Sequence, residues 1–323
     1  MTISGFTFVK NASKLYIPAK EAILSVLPIC DEFVIAIGDN DVDDTTMDII
    51  NSIGSDKIKI VHTKWDTETY VMNTEFARQT DIAKDNCTGD WLFYIQCDEA
   101  IHENDLPKVK SACETYMNRK EVEGLLFKYF HFWGDYQHYH DDHVWYKKEI
   151  RVIRNDPKIH SWKDAQSFRK FDSFDGSFND YQKKEDSTKL NVIELDAHIY
   201  HYGYVRPPAM MTTKNKKSSD SYRGAEATKE FMKDTPDAYD YGPLNKLKEF
   251  NGQHPKVMTD WIKEHDWTDE LQYAGSRNAN RPKHKHEKTK YKVVSWVENS
   301  LNGGKVIGGF KNYNILGKDD GIN

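Results

Sequence analysis

Acidic residues set directly after apolar runs are what this sequence offers for chemistry. The stretch Gly89 to His102 reads GDWLFYIQCDEAIH, where five large apolar residues, Trp91 to Ile95, give way to Gln96, Cys97, Asp98 and Glu99. A short apolar run bounded by glycine on one side and charge on the other is the pattern of a buried strand. In open α/β sheets, ligands bind where such strands end. A second acidic cluster, GDNDVDDTTMDII, follows the apolar run FVIAI. Within it Asp43 or Asp44 can cap the next helix through its free N–H groups. That leaves Asp39 in the turn, where its carboxylate can accept hydrogen bonds from a nucleotide base or ribose, or satisfy turn backbone. No GxGxxG or GxxxxGK[ST] follows any of these runs, so neither a dinucleotide fingerprint nor a P-loop is supported. His131, His138, His140 and His143 lack zinc-site spacing and no cysteine joins them, so no zinc is expected.

The elements needed to position these groups alternate in type. Gly5–Val9, Phe33–Ile37, Ile58–His62 and Trp91–Ile95 are short β-branched or aromatic runs, while Ile17–Leu27 and Asn73–Lys84 have helical spacing of apolar positions. Such alternation predicts an α/β fold of the Rossmann type, a mostly parallel central sheet flanked by helices. The 323 residues, 38% hydrophobic and 13% aromatic, supply a core for one domain plus appendages. Beyond Lys214 the chain turns polar, with a helix expected near Glu226–Lys233 and further helices broken by Pro and Gly. The last residues, VIGGFKNYNILGKDD, read as a short strand or loop able to dock on the core or to serve a partner chain. The net charge of −6 argues against a nucleic-acid partner. Cys30, Cys87, Cys97 and Cys113 form no CxxC pair and read as reduced thiols. No apolar run is long enough to cross a bilayer and the N-terminus lacks signal-peptide character, so a cytoplasmic protein is expected. The basic run RPKHKHEKTKYK reads as a solvated segment, with peripheral contact with an anionic membrane or acceptor as the alternative.

GDNDVDDTT after a strand, followed by FARQTDIAKDNCTGDWLFYIQCDE, resembles the nucleotide-sugar half of family 2 glycosyltransferases of the GT-A fold. In that family an aspartate-rich segment is followed in order by alanine-arginine-asparagine, glycine-aspartate-tryptophan, a strand and a DxD-type motif. The match runs through residues 3–105. Further on, IYHYGYVRPPAMMTTK is similar to a histidine-tyrosine-glycine segment that closes the catalytic domain in some of these enzymes. The resemblance implies a GT-A-like catalytic domain over 1–215, with a nucleotide-sugar half at 1–105 and an acceptor half at 106–215. A mostly helical C-terminal extension over 216–323 would follow.

By this resemblance Asp39, Arg78, Gln96 and Asp98 bind the nucleotide-sugar. Asp98 and His201 hold a Mn²⁺ or Mg²⁺ cofactor, with His198 as the other histidine in reach, and Arg206 or Lys214 falls over the diphosphate. The general base lies on the acceptor side, where Asp141, Asp142, Glu149 and Asp164 are available. Asp164 is favoured because KDAQSF is a small polar island after the strand-like EIRVI. Two departures stand out: Gln96 replaces the first carboxylate of the DxD-type motif, weakening the expected grip on a divalent ion, and Gly38 replaces the first of the paired aspartates. The aromatics of Tyr129–Trp145 suit either sugar stacking or core packing.

The function implied is a hexosyltransferase-like enzyme of glycan biosynthesis. It would move a sugar from a UDP-, GDP- or dTDP-linked donor to a glycan, lipid-linked or protein acceptor hydroxyl, with metal assistance and inversion, and homo-oligomers are compatible with it. The alternatives are a non-catalytic nucleotide-sugar or glycan-binding protein on the same scaffold, which Gln96 favours, and a nucleotidyltransferase, for which SGFTFVKNAS is a poor phosphate loop.

Overall fold

A computed structural model describes residues 1–319. The first half alternates as the sequence predicts: β1 (Ile3–Val9), α1 (Ala19–Val26), β2 (Glu32–Ile37), α2 (Thr46–Asn51), β3 (Ile58–His62), α3 (Thr74–Asp85) and β4 (Trp91–Tyr94). After β5 (Glu99–Ile101) and α4 (Leu106–Thr115) the chain becomes richer in strands. These are β6 (Gly124–Trp133), β7 (His138–His140), β8 (Lys148–Arg154), β9 (Ile159–Trp162), β10 (Ser167–Phe171), the short helix α5 (Phe178–Gln182) and the long β11 (Ser187–Tyr204). The remainder contains α6 (Pro208–Arg223), α7 (Ala225–Met232), β12 (Lys248–Glu249), α8 (Thr259–Lys263), α9 (Thr289–Leu301) and β13 (Tyr313–Asp319).

The main sheet runs β3-β2-β1-β4-β8-β6-β11. The first four strands are mutually parallel, β8 is reversed, and β6 and β11 resume the original direction. This is the mostly parallel, helix-flanked sheet that the alternation predicts. Its central strands read as continuous apolar runs because both faces are covered. Phe33, Ile35 and Ile37 pack in a cluster with Ile23 of α1 and Val109 of α4, while Val34 and Ala36 join Ala83 of α3 and Phe168 of β10.

The tail is not only helical. β13 pairs parallel with β11 from Leu190 to Leu195, so the last described segment extends the sheet. β11 is long enough to leave an edge of backbone donors and acceptors beyond its partners, and β13 satisfies that edge. The aromatics after β6 resolve mostly as core: Phe132, Trp133 and Tyr136 are buried, the first and last against Tyr200, Tyr202 and Trp267.

Candidate active site

The site lies where β1, β2 and β4 end and where β11 comes back to meet them. β5 pairs antiparallel with β11, with His201 opposite Glu99, and the Tyr202 N–H donates to Asp98 O at 2.8 Å. This pairing brings HYGYVR onto QCDE. The His201 Nε2 stands 3.9 Å from Asp98 Oδ1, Arg206 Nη2 3.8 Å and Lys214 Nζ 3.5 Å from Asp98 Oδ2. Because β11 is a strand, His198, three residues earlier, faces the other way and stacks on Phe130.

Gly203 is the hub of this cluster. Its carbonyl accepts from Lys214 Nζ at 2.7 Å and from Arg206 Nη1. A Cβ on it would lie 2.5 Å from His201 Nε2 and 2.8 Å from Asp98 Oδ2, so only glycine leaves this space open. Arg206 is fully buried; its Nε donates to Leu15 O at 2.8 Å, but its Nη2 has no hydrogen-bond partner among the described residues. Burial pushes the Asp98 carboxyl up, yet the charges of Lys214 and Arg206 overcome this and hold it well below the usual range. Burial, reinforced by Arg206, brings Lys214 down to about 8, with Asp98 opposing.

The protons on the two histidines follow from their partners. His131 Nε2 lies 2.8 Å from Tyr146 O, which can only accept, so the proton is on His131 Nε2. Burial holds His131 well below the usual imidazole range and lowers His201 too, leaving both rings neutral. The 3.1 Å contact between His131 Nδ1 and His201 Nδ1 is therefore a bond donated by His201, and the His201 Nε2 lone pair faces Asp98. A lone pair aimed at a carboxylate across 3.9 Å is unfavourable unless a cation lies between them. Asp98 and His201 thus fit a divalent ion as a hard oxygen donor and an imidazole donor. Among the described residues no group of three His, Cys, Asp or Glu side chains is arranged to hold a metal.

Along the β2 edge, Asp39 accepts from Lys10 Nζ at 2.7 Å and from the Trp65 N–H at 3.1 Å. Burial raises its carboxyl, but those two bonds bring it below the ordinary value. Asp44 accepts from the Thr46 N–H at 2.9 Å just ahead of α2, whose N-cap is Thr45 rather than Asp43 or Asp44. The Trp65 indole occupies the space a side chain at position 38 would need, with Nε1 2.5 Å from a Cβ built on Gly38. This accounts for glycine where the family pattern has aspartate. Arg78 turns back along α3 to Glu75 Oε1 at 2.8 Å and lies over Tyr70.

Asp164 sits exposed on the turn between β9 and β10. Gln96 points toward this turn, its Nε2 3.2 Å from Ala165 O. Glu149 is fully buried under the turn and unavailable as an acceptor-side base. Sequence reasoning missed His131, Trp65 and the buried Arg151–Glu99 pair. Glu99 directly follows the motif, and its buried partner could have been sought among basic residues inside apolar strands, such as Arg151 in EIRVI.

No protein-family model matches this chain, and no curated protein matches it in sequence. Among solved structures, TarS 1–349 from S. aureus matches at 12% identity over 68% of this chain and 65% of that one, with a TM-score of 0.36. The same protein in complex with UDP-GlcNAc matches at 13% identity over 68% and 66%, again at 0.36. Glucosyl-3-phosphoglycerate synthase from Mycobacterium tuberculosis, in complex with Mn²⁺, UDP and phosphoglyceric acid, matches at 16% identity over 40% and 43%, at 0.28. This chain therefore spans less than two thirds of the length of each. Likeness at this level carries no weight for chemistry, which rests on the residues described above. No helix among the described residues is long and apolar enough to cross a membrane.

Proposed function

We propose that this chain is a metal-assisted, inverting glycosyltransferase that moves a sugar from a nucleoside-diphosphate donor to an acceptor hydroxyl, with its catalytic domain in residues 1–215. The observation that carries this reading is the Asp98 cluster. One carboxylate, an imidazole lone pair and two cationic side chains converge on a space that Gly203 keeps open. Asp98 and His201 would hold Mn²⁺ or Mg²⁺, which when bound supplies positive charge beside the departing diphosphate. Lys214 and Arg206 Nη2, which makes no hydrogen bond among the described residues, meet the remaining phosphate oxygens, where charge grows as the bond from the anomeric carbon to the diphosphate breaks. Asp39 accepts from the base or ribose. Asp164 takes the proton of the acceptor hydroxyl as its oxygen attacks the anomeric carbon from the opposite side.

The test is titration with UDP-, GDP- and dTDP-sugars, with and without Mn²⁺, on the native chain and on Asp98→Asn, with a thermal melt to monitor folding. Metal-dependent sugar release by the native chain and its loss in a folded Asp98→Asn variant is the expected result. Binding without turnover toward any acceptor would identify a nucleotide-sugar-binding protein. Undiminished transfer by Asp98→Asn would refute the assignment.

A further inference from the structure

The neutral residue at position 96 has a use in this fold. Gln96 Nε2 donates to Ala165 O at 3.2 Å, and Ala165 belongs to the turn that carries Asp164. That turn is conformationally costly, since Lys163 and Ala165, on either side of Asp164, both adopt positive φ, 56° and 60°, without being glycine. Such a shape persists only where its surroundings enforce it. Three contacts do so here. The Lys163 N–H donates to Tyr181 O at 2.9 Å, Gln96 holds Ala165 O, and Arg151 Nη1 donates to Gln166 O at 3.0 Å. Arg151 is in turn fixed by both oxygens of Glu99, at 2.8 and 2.7 Å. The QCDE motif therefore divides its labour: Asp98 faces His201, while Gln96 and Glu99 support the turn opposite.

We propose that Gln96 is a positioning residue that holds the Asp164 turn through the Ala165 carbonyl and does not grip the nucleotide. The inference rests on the reading of Asp164 as the base that takes the acceptor proton. It gives a reason for the departure from the DxD pattern. A carboxylate at 96 has no proton to donate at neutral pH and would set acceptor against acceptor across the same 3.2 Å. An amide of similar shape supplies the missing N–H.

The experiment compares Gln96→Glu, which keeps the shape but loses the donor, and Gln96→Met, which loses both polar atoms, with Asp164→Asn and with the Gln96→Met/Asp164→Asn double variant. UDP affinity is read by calorimetry in Mn²⁺, amide exchange on the peptide spanning 163–167, and kcat against KM by sugar transfer. Both Gln96 variants should bind UDP within about twofold of the native chain, exchange faster across the turn, and lose kcat by about tenfold, because small misplacements of a reacting group cost one to two orders of magnitude in rate. Adding Gln96→Met to Asp164→Asn should cost little more, since the group being positioned is already gone. A tenfold loss of UDP affinity, or unchanged exchange across the turn, would overturn the proposal. Asp164→Asn at full rate would instead remove the base assignment, leaving the tether to be judged by exchange and UDP affinity alone.

Discussion

Glu149 is an acid without solvent beneath the site, and its burial sets a pH dependence that can be measured. It accepts from the Ile150 N–H at 3.0 Å, Ser167 Oγ at 2.9 Å and Gln166 Nε2 at 3.3 Å. Burial nevertheless outweighs these bonds and the Arg151 charge, and raises its carboxyl from 4.5 to about 7. Between those values the folded chain keeps a proton that the unfolded chain has released. The stability this group contributes is therefore fully present below about pH 4.5 and is lost as pH rises through about 7. At 1.36 kcal/mol per pKa unit the full shift is worth about 3 kcal/mol, of which about 2–3 kcal/mol falls between pH 5 and pH 8. Glu149→Gln keeps an acceptor for Ile150 and Ser167 and cannot ionise, so it should lack this loss. Urea unfolding of both proteins at pH 5 and pH 8 provides the assay. Relative to the native chain, the variant should gain about 2–3 kcal/mol on moving from pH 5 to pH 8. Histidines buried neutral, such as His131 and His254, destabilise both proteins alike at acid pH and cancel in the comparison. Parallel pH profiles for the two proteins would refute the reasoning.

Other outcomes follow from the site geometry. His201→Ala should need about 10–100-fold more Mn²⁺ for half-maximal transfer, with partial rescue at high metal, because one ligand is lost. His198→Ala, whose ring stacks on Phe130, should do less, and the reverse ranking in a Mn²⁺ titration would reassign the ligand. Asp39→Ala should raise the donor KM more than it lowers kcat, since contacts to the base are alike in ground and transition states; an unchanged KM would leave Asp39 as a turn residue bound to Lys10. Gly203→Ala puts a methyl 2.5 Å from His201 Nε2 and 2.8 Å from Asp98 Oδ2, and should abolish Mn²⁺-dependent UDP binding measured by calorimetry. Native UDP affinity in that variant would show that the space between those groups is not used.

The sequence by itself determined the strands and helices of the first hundred residues, because a strand buried on both faces must be apolar throughout and a helix must repeat its apolar face every three to four residues. It also placed Asp39 and Asp98 at strand ends, where the apolar runs stop. Tertiary structure alone decided which residues meet them. His201 was favoured over His198 by its place in HYGYVR, but its direction was settled only when β11 formed as a strand and its register against β5 turned His201 toward Asp98. The direction of Gln96 depended on the Ala165 turn, and Arg151 could be paired with Glu99 only once β8 lay beside β4. Local periodicity is fixed by residues within a few positions of one another, whereas strand register and a buried side chain's partner are settled by packing between segments far apart in sequence.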